Sequence, residues 1–566
     1  METFKRKKRL LLFIAFALIG VMSTFGQTER TLDFNALLSN FADPPSEYRT
    51  APFMVWNYKV TKSDIARMID EYKSQRSGAI IIHPRPGLIT EYLSDEWFDL
   101  YAYAIEKAKE KGMTVWIYDE NSYPSGFGGG HVPADMPESF NQGQGLKLEK
   151  VMLLPEDIDS YFLCLRKEED KWIDITGDKA SYKGETGDYY LYKKTYYSNS
   201  DWYGGYSYVD LMIPGVTEKF NAVTMDGYQK RFGQEFGRSI LGVFTDEPEI
   251  PSSGGIRWTP LLFDTFKTQW GYDLKTLLPL LDEEIGDWKR VRHDYFSTLL
   301  SLFIKHWSKP YHDYCEKHNL KWTGHYWEHD WPNIDSGPDN MAMYEWHQMP
   351  AIDMLFNQLN EDSLQGQFGN IRSVKELGSV ANQKGFKRVL SETYGGGGWD
   401  ESLRDFKRLG DWEYVLGVNF MNQHLSHMTL TGARKYDYPP EFSSVSPWWN
   451  DYYVVNDYFG RLSMLLSNGI QKNKILVIEP TTTIWCHYSV NNCSSIIWDI
   501  GVAFQRFVTK LEMAQVEYDL GSEAIIRGNG SVMNGTLKVG EASYTTVVLP
   551  PMMESVDVST FWLLKD

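Results

Sequence analysis

Short apolar runs, each closed by a polar or glycine-rich stop and followed by an amphipathic helical stretch, recur along most of this chain. That alternation leaves few architectures open. Residues 53–57 precede a helical period over 62–75. Residues 79–82 end in His83-Pro84-Arg85-Pro86-Gly87 and lead to a helical period over 95–111. Residues 114–118 end in Asp119-Glu120, and residues 240–244 end in Thr245-Asp246-Glu247-Pro248. A long helical region over 261–318 follows, then runs at 321–328, 352–355 (the weakest), 388–392 and 417–424. Eight strands with helices between them predict an α/β fold, a (β/α)8 TIM barrel over residues 27–470. An open doubly wound sheet would want a glycine-rich phosphate loop after its first strand, and none is present.

The period changes inside this frame. Residues 145–213 alternate polar and apolar positions between turn clusters such as Lys183-Gly184-Glu185-Thr186-Gly187-Asp188, which predicts an antiparallel β-domain inserted in the barrel. Residues 471–566 restart a βα pattern with runs at 474–478, 516–519 and 546–550. They read as an incomplete, Rossmann-like α/β domain, because the sequence stops at Asp566 just inside a further helical stretch.

Residues 1–26 read as a signal peptide: a basic segment at Lys5, Arg6, Lys7, Lys8 and Arg9, an apolar run over 10–22, and small residues before Gln27. The run is short for a spanning helix, which needs about 20 residues. A secreted or periplasmic protein, free of the membrane after cleavage, is therefore expected. The net charge of −18 disfavours nucleic acid as a partner but not neutral sugars. Aromatic residues make up 15% of the chain, which suits both a large core and stacking on sugar rings. Cys164, Cys315, Cys486 and Cys493 have no metal-ligand or redox spacing and are read as structural, with no pairing assigned.

Functional side chains of a (β/α)8 barrel gather where strands end. The ends here carry His83, Asp119, Glu120, Asp246, Glu247, Glu328, His329, Glu392 and His424. Cleaving a glycosidic bond needs two carboxyl groups across the bond. Glu247 and Glu392, closing the fourth and seventh strands on opposing sides of the mouth, are the expected catalytic pair, against the alternative of ordinary loop carboxylates in ion pairs. Expected to bind substrate are His83 and Arg85 (or to stiffen their proline-rich loop), Asp119, Glu120, Asp246, His325, Glu328, Glu345, Tyr394, Trp399, Asn422 and His424. The glycine-rich segment 124–130 lacks the Lys-Ser/Thr ending of a nucleotide loop and is read as a tight substrate loop.

Several blocks resemble glycoside hydrolase family 106: HPRPGLITEYLSDEWFDL, VWIYDENSYPSGFGGG, GVFTDEPE, SETYGGGGW, and GDWEYVLGVNFMNQHLSHMTLTGARKYDYPP followed by SPWW, all within about residues 51–460. The resemblance implies an α-L-rhamnosidase that inverts the anomeric centre, with Glu247 as general acid, Glu392 as general base and a calcium ion at the sugar site. No metal ligands are assigned from spacing. The family's usual C-terminal β-domains are missing, so the sequence reads as C-terminally truncated. Two further readings stay open: a retaining glycosidase of the β-galactosidase-like barrel type, and a glycan-binding protein without catalysis.

Overall fold

The computed structural model describes residues 31–490 and 495–566, so the expected signal peptide and Cys493 lie outside the described residues. Among the described residues two units separate, 31–42 and 43–566. The first holds a helix at Phe34–Asn40, whose N-cap Asp33 accepts the Ala36 N–H at 2.8 Å.

In the second unit the strands run, in chain order, Phe53–Trp56 (β1), Ala79–Pro84 (β2), Thr114–Tyr118 (β3), Gly145–Val151 (β4), Leu163–Glu168 (β5), Lys171–Asp174 (β6), Asp188–Thr195 (β7), Ile240–Asp246 (β8), Ile256–Arg257 (β9), Lys321–His325 (β10), Ala351–Met354 (β11), Leu390–Thr393 (β12), Phe420–Gln423 (β13) and Ser426–His427 (β14). All eight expected barrel strands form. They lie in two parallel arcs, β10-β8-β3-β2-β1-β14 and β11-β12-β13. The Met349 N–H to Trp322 O bond (3.1 Å) bridges one seam, and the Ala51 N–H to Met421 O bond (3.0 Å) bridges the other. The arrangement is consistent with the expected barrel. These strands are buried on both faces, as helix-covered parallel strands are.

Side chains alternate between the two faces of a strand. Phe53, Val55, Ile81, Trp116, Tyr118, Phe244, Ala351, Leu390 and Phe420 pack with one another in an inner core. Met54, Trp56, Ile80, Ile82, Val115, Ile117 and Val243 pack instead in the large outer core that includes the helices. The first two helices show why these segments are helical. Lys62–Ser74 buries Ile65, Met68, Ile69 and Tyr72, a single stripe, and is capped by Thr61. Asp95–Glu110 is capped by Ser94, with Asp95 and Glu96 in its first turn and Lys107 and Lys109 in its last, which suits the helix dipole.

The expected long helical region over 261–318 is broken. Leu262–Trp270 stops at Gly271, whose φ of +77° ends the helix, and Lys275–Leu281 is a three-ten segment containing Pro279. Helix resumes over Trp288–Phe303 and continues through a π turn into Lys309–His318.

The inserted sheet is antiparallel, in the order β6-β5-β7-β4-β9. Its last strand before the barrel resumes ends at Thr195, and β9 joins it from beyond β8, so the sheet does not coincide with the expected 145–213 segment. A buried ion pair fastens this edge. Arg257 on β9 meets Asp210 at 2.5 Å, and its Nη1 donates to the carbonyls of Gln144 and Trp258, both at 2.8 Å. The last stretch forms a parallel sheet from Ile475–Ile478 (β15), Asp519–Gly521 (β16) and Thr546–Val548 (β20), in the order β16-β15-β20. An antiparallel meander of Gly530–Met533 (β17), Thr536–Val539 (β18) and Ala542–Tyr544 (β19), not expected from the sequence, accompanies it. Cys164, Cys315 and Cys486 are buried free thiols.

Because removing one partner of a buried ion pair strands the other charge, Asp210→Ala is expected to cost about 3–5 kcal/mol, seen as a lower urea midpoint at unchanged m-value.

Candidate active site

The alternation that builds the barrel interior also selects the side chains at its mouth. Two residues beyond Phe244, Ala351, Leu390 and Phe420 on their strands stand Asp246, Asp353, Glu392 and Asn422, which therefore point inward. In-register parallel pairing sets them side by side: His325 pairs with Asp246, Asp353 with Glu392, and Glu392 with Asn422.

His325, 1% exposed, sits at the centre. Its Nε2 lies 3.2 Å from Asp246 Oδ1 and 3.2 Å from Glu392 Oε2, and its Nδ1 lies 3.5 Å from Glu328 Oε1. Burial pushes the imidazole pKa down, but Glu328, Asp246 and Glu392 outweigh it and hold it well above the usual value, so His325 is an imidazolium. Burial raises the Asp246 carboxyl, yet its bond to His325 and the Tyr118 hydroxyl leave it below the usual range. Glu328 is wholly buried, accepting from the Asp353 N–H (2.6 Å) and the Tyr344 hydroxyl (3.2 Å). It meets His325 on the Nδ1 side and is closed off from solvent.

Glu247 follows Asp246 and by alternation would face outward. Its φ of +47° turns the chain instead, and its N–H bonds to the His325 carbonyl at 3.2 Å. A non-glycine residue held left-handed costs about 1–3 kcal/mol, a strain common at functional sites. The turn places Glu247 with His329 and Asp353, one ligand atom of each lying within 4.8 Å of the others. Burial, then Asp246, raises its carboxyl pKa well above the ordinary value. Burial and Asp353 raise that of Glu392 to about 8. Glu247 and Glu392 thus share Asp246, His325 and Asp353 as electrostatic neighbours.

On the other flank of Glu392, His424 Nε2 lies 3.7 Å from Oε1. Burial and then Arg85 lower its pKa to about 3, so it is neutral. His83 is buried, stacked on Tyr118 at 3.6 Å between ring centroids, with Nε2 3.0 Å from Arg85 Nη1.

The other expected substrate contacts are each held by partners within the protein. Asp119 follows the inward Tyr118 and so turns outward, where Ser125 (2.6 Å), Thr245 (2.6 Å) and Tyr311 (2.7 Å) donate to it. Glu120 is enclosed by its own loop: the N–H groups of Asn121, Gly126, Phe127, Gly128 and Gly129 donate to its carboxylate at 2.6–3.1 Å. Burial raises the Glu120 carboxyl to about 8 while these N–H groups oppose the rise, and the glycine-rich segment is a backbone nest filled by the chain's own side chain. Glu345 pairs with Lys384 and Asn529, both at 2.9 Å, away from the strand ends. Tyr394 is buried against Phe406, its hydroxyl donating to the Phe406 carbonyl. Arg85 is engaged by Asp437 through two bonds of 2.6 and 2.8 Å, so its guanidinium is not free for a glycan carboxylate. Asn422 donates to the Ala51 carbonyl at 2.6 Å and stands beside Glu392. Trp399 is 46% exposed, its indole N–H bonded to the Lys435 carbonyl.

The sequence reading passed over Asp353 and Asp437. The first was available from alternation on β11. The second lies 352 residues from Arg85 and has no local signal. Two surface hollows of about 850 and 700 Å³ lie among outer helices and touch none of these residues. Among the described residues, Asp246-His325-Glu392 and Glu247-His329-Asp353 are the groups whose donors converge as a metal would require. No helix among them is long and apolar enough to cross a membrane.

Comparison with known proteins adds four findings. The sequence profile of glycoside hydrolase family 106, described as α-L-rhamnosidase, matches residues 206–490, half of the chain. A protein of Formosa agariphila, provisionally named a β-glucuronidase, is 21% identical over 83% of this chain, which spans 45% of that relative's length. The structure of a rhamnosidase from Novosphingobium sp. PP1Y is similar at a TM-score of 0.69 and 16% identity, over 93% of this chain and 68% of that one. A β-galactosidase from Halorubrum lacusprofundi is similar at 0.51 and 10% identity, over 88% and 68%. The two structures share the fold.

Glu120→Ala leaves the nest's N–H groups without their acceptor and is expected to cost about 3 kcal/mol, checked as a fall in the thermal midpoint.

Proposed function

The chain belongs to glycoside hydrolase family 106, and from that membership we propose an exported, inverting exo-α-L-rhamnosidase acting on polysaccharide or glycan side chains. The observation that carries this reading is the placement of Glu247 and Glu392, on different strands, around the same buried imidazolium and the same Asp353. Export rests on the basic and apolar character of residues 1–26.

Burial and Asp246 raise the Glu247 carboxyl and so favour its protonated form, the form a general acid must hold before it protonates the leaving oxygen. Glu392 takes the proton of an attacking water, and it must first ionise. His325 favours that ionisation, while burial and Asp353 oppose it. His424, neutral beside Glu392, is available to orient the water or a sugar hydroxyl.

Calcium takes six to eight oxygen ligands. Each converging group here supplies two carboxylates and an imidazole, and the His325 imidazolium already neutralises the first. A cation in either group would also tie up one of the two carboxyls that must move protons. Neither group by itself completes a calcium shell, and calcium stays an expectation of the family resemblance.

Three outcomes are expected. Glu247→Gln and Glu392→Gln each lower kcat about 10²–10⁴-fold on an aryl α-L-rhamnoside. The first product seen by proton NMR has the β configuration. A retained α product would favour the β-galactosidase-like reading, turnover of β-D-glucuronide alone would move the substrate to that sugar, and no turnover would leave a binding protein. Finally, kcat/KM rises with pH as Glu392 ionises, up to about 8. His325→Asn removes the charge that lowers this pKa, so the acidic limb moves to higher pH. An unmoved limb would contradict the role given to His325.

A further inference from the structure

The acids of the site lie deep: Asp246, Glu247 and Glu392 are 6, 8 and 4% exposed. Above them the rim carries aromatic rings that remain open to solvent. Phe356 follows β11 and is 37% exposed, and Tyr438 is 49% exposed. Both are held in left-handed backbone, at φ of +62° and +47°. Aromatic residues adopt that conformation only where the surroundings impose it.

Here the glycines after Glu392 impose it. The Phe356 N–H bonds to the Gly395 carbonyl at 2.9 Å, and the Gly396 N–H bonds to the Tyr438 carbonyl at 3.4 Å. A Cβ on Gly396 would stand 2.9 Å from Phe356 Cε1 and 3.2 Å from Tyr438 Cδ1, so both rings rest on this glycine, whose own φ is +73°. The platform is continuous with the acids. The Tyr438 and His424 rings lie 6.2 Å apart edge to face, and His424 is 3.7 Å from Glu392. Tyr123 adjoins the same space, with Glu247, Asp246 and Tyr438 among the groups acting on its hydroxyl.

We propose that Phe356 and Tyr438 form a binding subsite for a second pyranose ring, the sugar to which the cleaved residue is attached. The inference rests on the glycosidase reading above. A terminal sugar able to reach the buried carboxyls fills the space beneath the rim, and the next ring then meets the exposed aromatic faces. The C–H face of a pyranose packs on an aromatic face, as apolar surface does on any such ring. The four glycines Gly395 to Gly398 thereby acquire a purpose: a side chain at Gly396 would push the two rings apart.

The test has a turnover arm and a binding arm. In the first, kcat/KM is measured for an α-L-rhamnosyl or β-D-glucuronosyl disaccharide and for the methyl glycoside of the same sugar, which has no second ring. Tyr438→Ala, Phe356→Ala and the double variant are expected to lower the disaccharide-to-methyl ratio about three- to tenfold. Tyr438→Phe, which keeps the ring, is expected to restore it. Equal losses on both substrates overturn the subsite.

In the binding arm, Glu247→Gln protein is titrated calorimetrically with the disaccharides and with the free monosaccharides. The disaccharide binds more tightly, and the double rim variant abolishes the difference. A difference that survives that variant, or no binding of any saccharide, overturns the subsite. Ring-dependent binding without turnover by the unaltered protein would overturn the glycosidase reading and leave the subsite standing.

Discussion

A buried imidazolium organises the mouth of this barrel. His325 ends β10 with carboxylates on both nitrogens, and without its charge Asp246, Glu328 and Glu392 would crowd like charges into a space from which water is excluded. Uncompensated, such a cluster neutralises itself by taking up protons. The imbalance that remains after His325 is useful: there are more carboxyls than the single cation can hold ionised. Proton uptake falls on Glu247 and Glu392, whose pKa values are raised, while Asp246 stays ionised. Carboxyls lifted in this way can gain and lose protons near neutral pH, as acid–base chemistry there requires.

The surrounding loops solve a related problem by different means. Glu120 has no cation and is held by backbone N–H groups of the glycine-rich loop. Asp119 beneath it is held by hydroxyls of Ser125, Thr245 and Tyr311, tying the third strand's loop to the fourth strand and to an outer helix. On the opposite side Arg85 and His427 share Asp437, and Glu441 completes the chain of charges. Asp119 ties its loop to another strand, Arg85 and Asp437 tie two loops together, and Glu120 closes its own loop, so the deep acids are framed by loops that are themselves pinned. The Gly395–Gly398 segment contributes in another way, by close approach, since its lack of side chains lets Phe356 and Tyr438 crowd over the mouth.

Much of this was legible in the sequence. The period-two runs located all eight barrel strands, and the residues closing them included Asp246, Glu247, Glu392 and His424. Strand alternation, carried one step further, would have added Asp353, two residues beyond the inward Ala351, and removed Asp119, one residue beyond the inward Tyr118. The break in the helical region at Gly271 and Pro279 was also written in the residues. Glu345 and Tyr394 lie in loops between strands and helices, and a loop position does not say which way the side chain is carried. Glu345 meets Lys384 and Asn529, and Tyr394 packs under its own loop.

By itself, then, the sequence determined the order of strands and helices, the inward or outward sense of each strand residue, and the concentration of carboxyls at one edge of the sheet, because these follow from local periodicity. Tertiary structure alone decided which carboxyl meets which cation. Asp437 reaches Arg85 across 352 residues, and the left-handed turn at Glu247 brings it to Asp353 against the alternation of its strand. Charge pairing and pKa depend on distances of a few ångströms between segments remote along the chain, and those distances exist only once the two parallel arcs have come together.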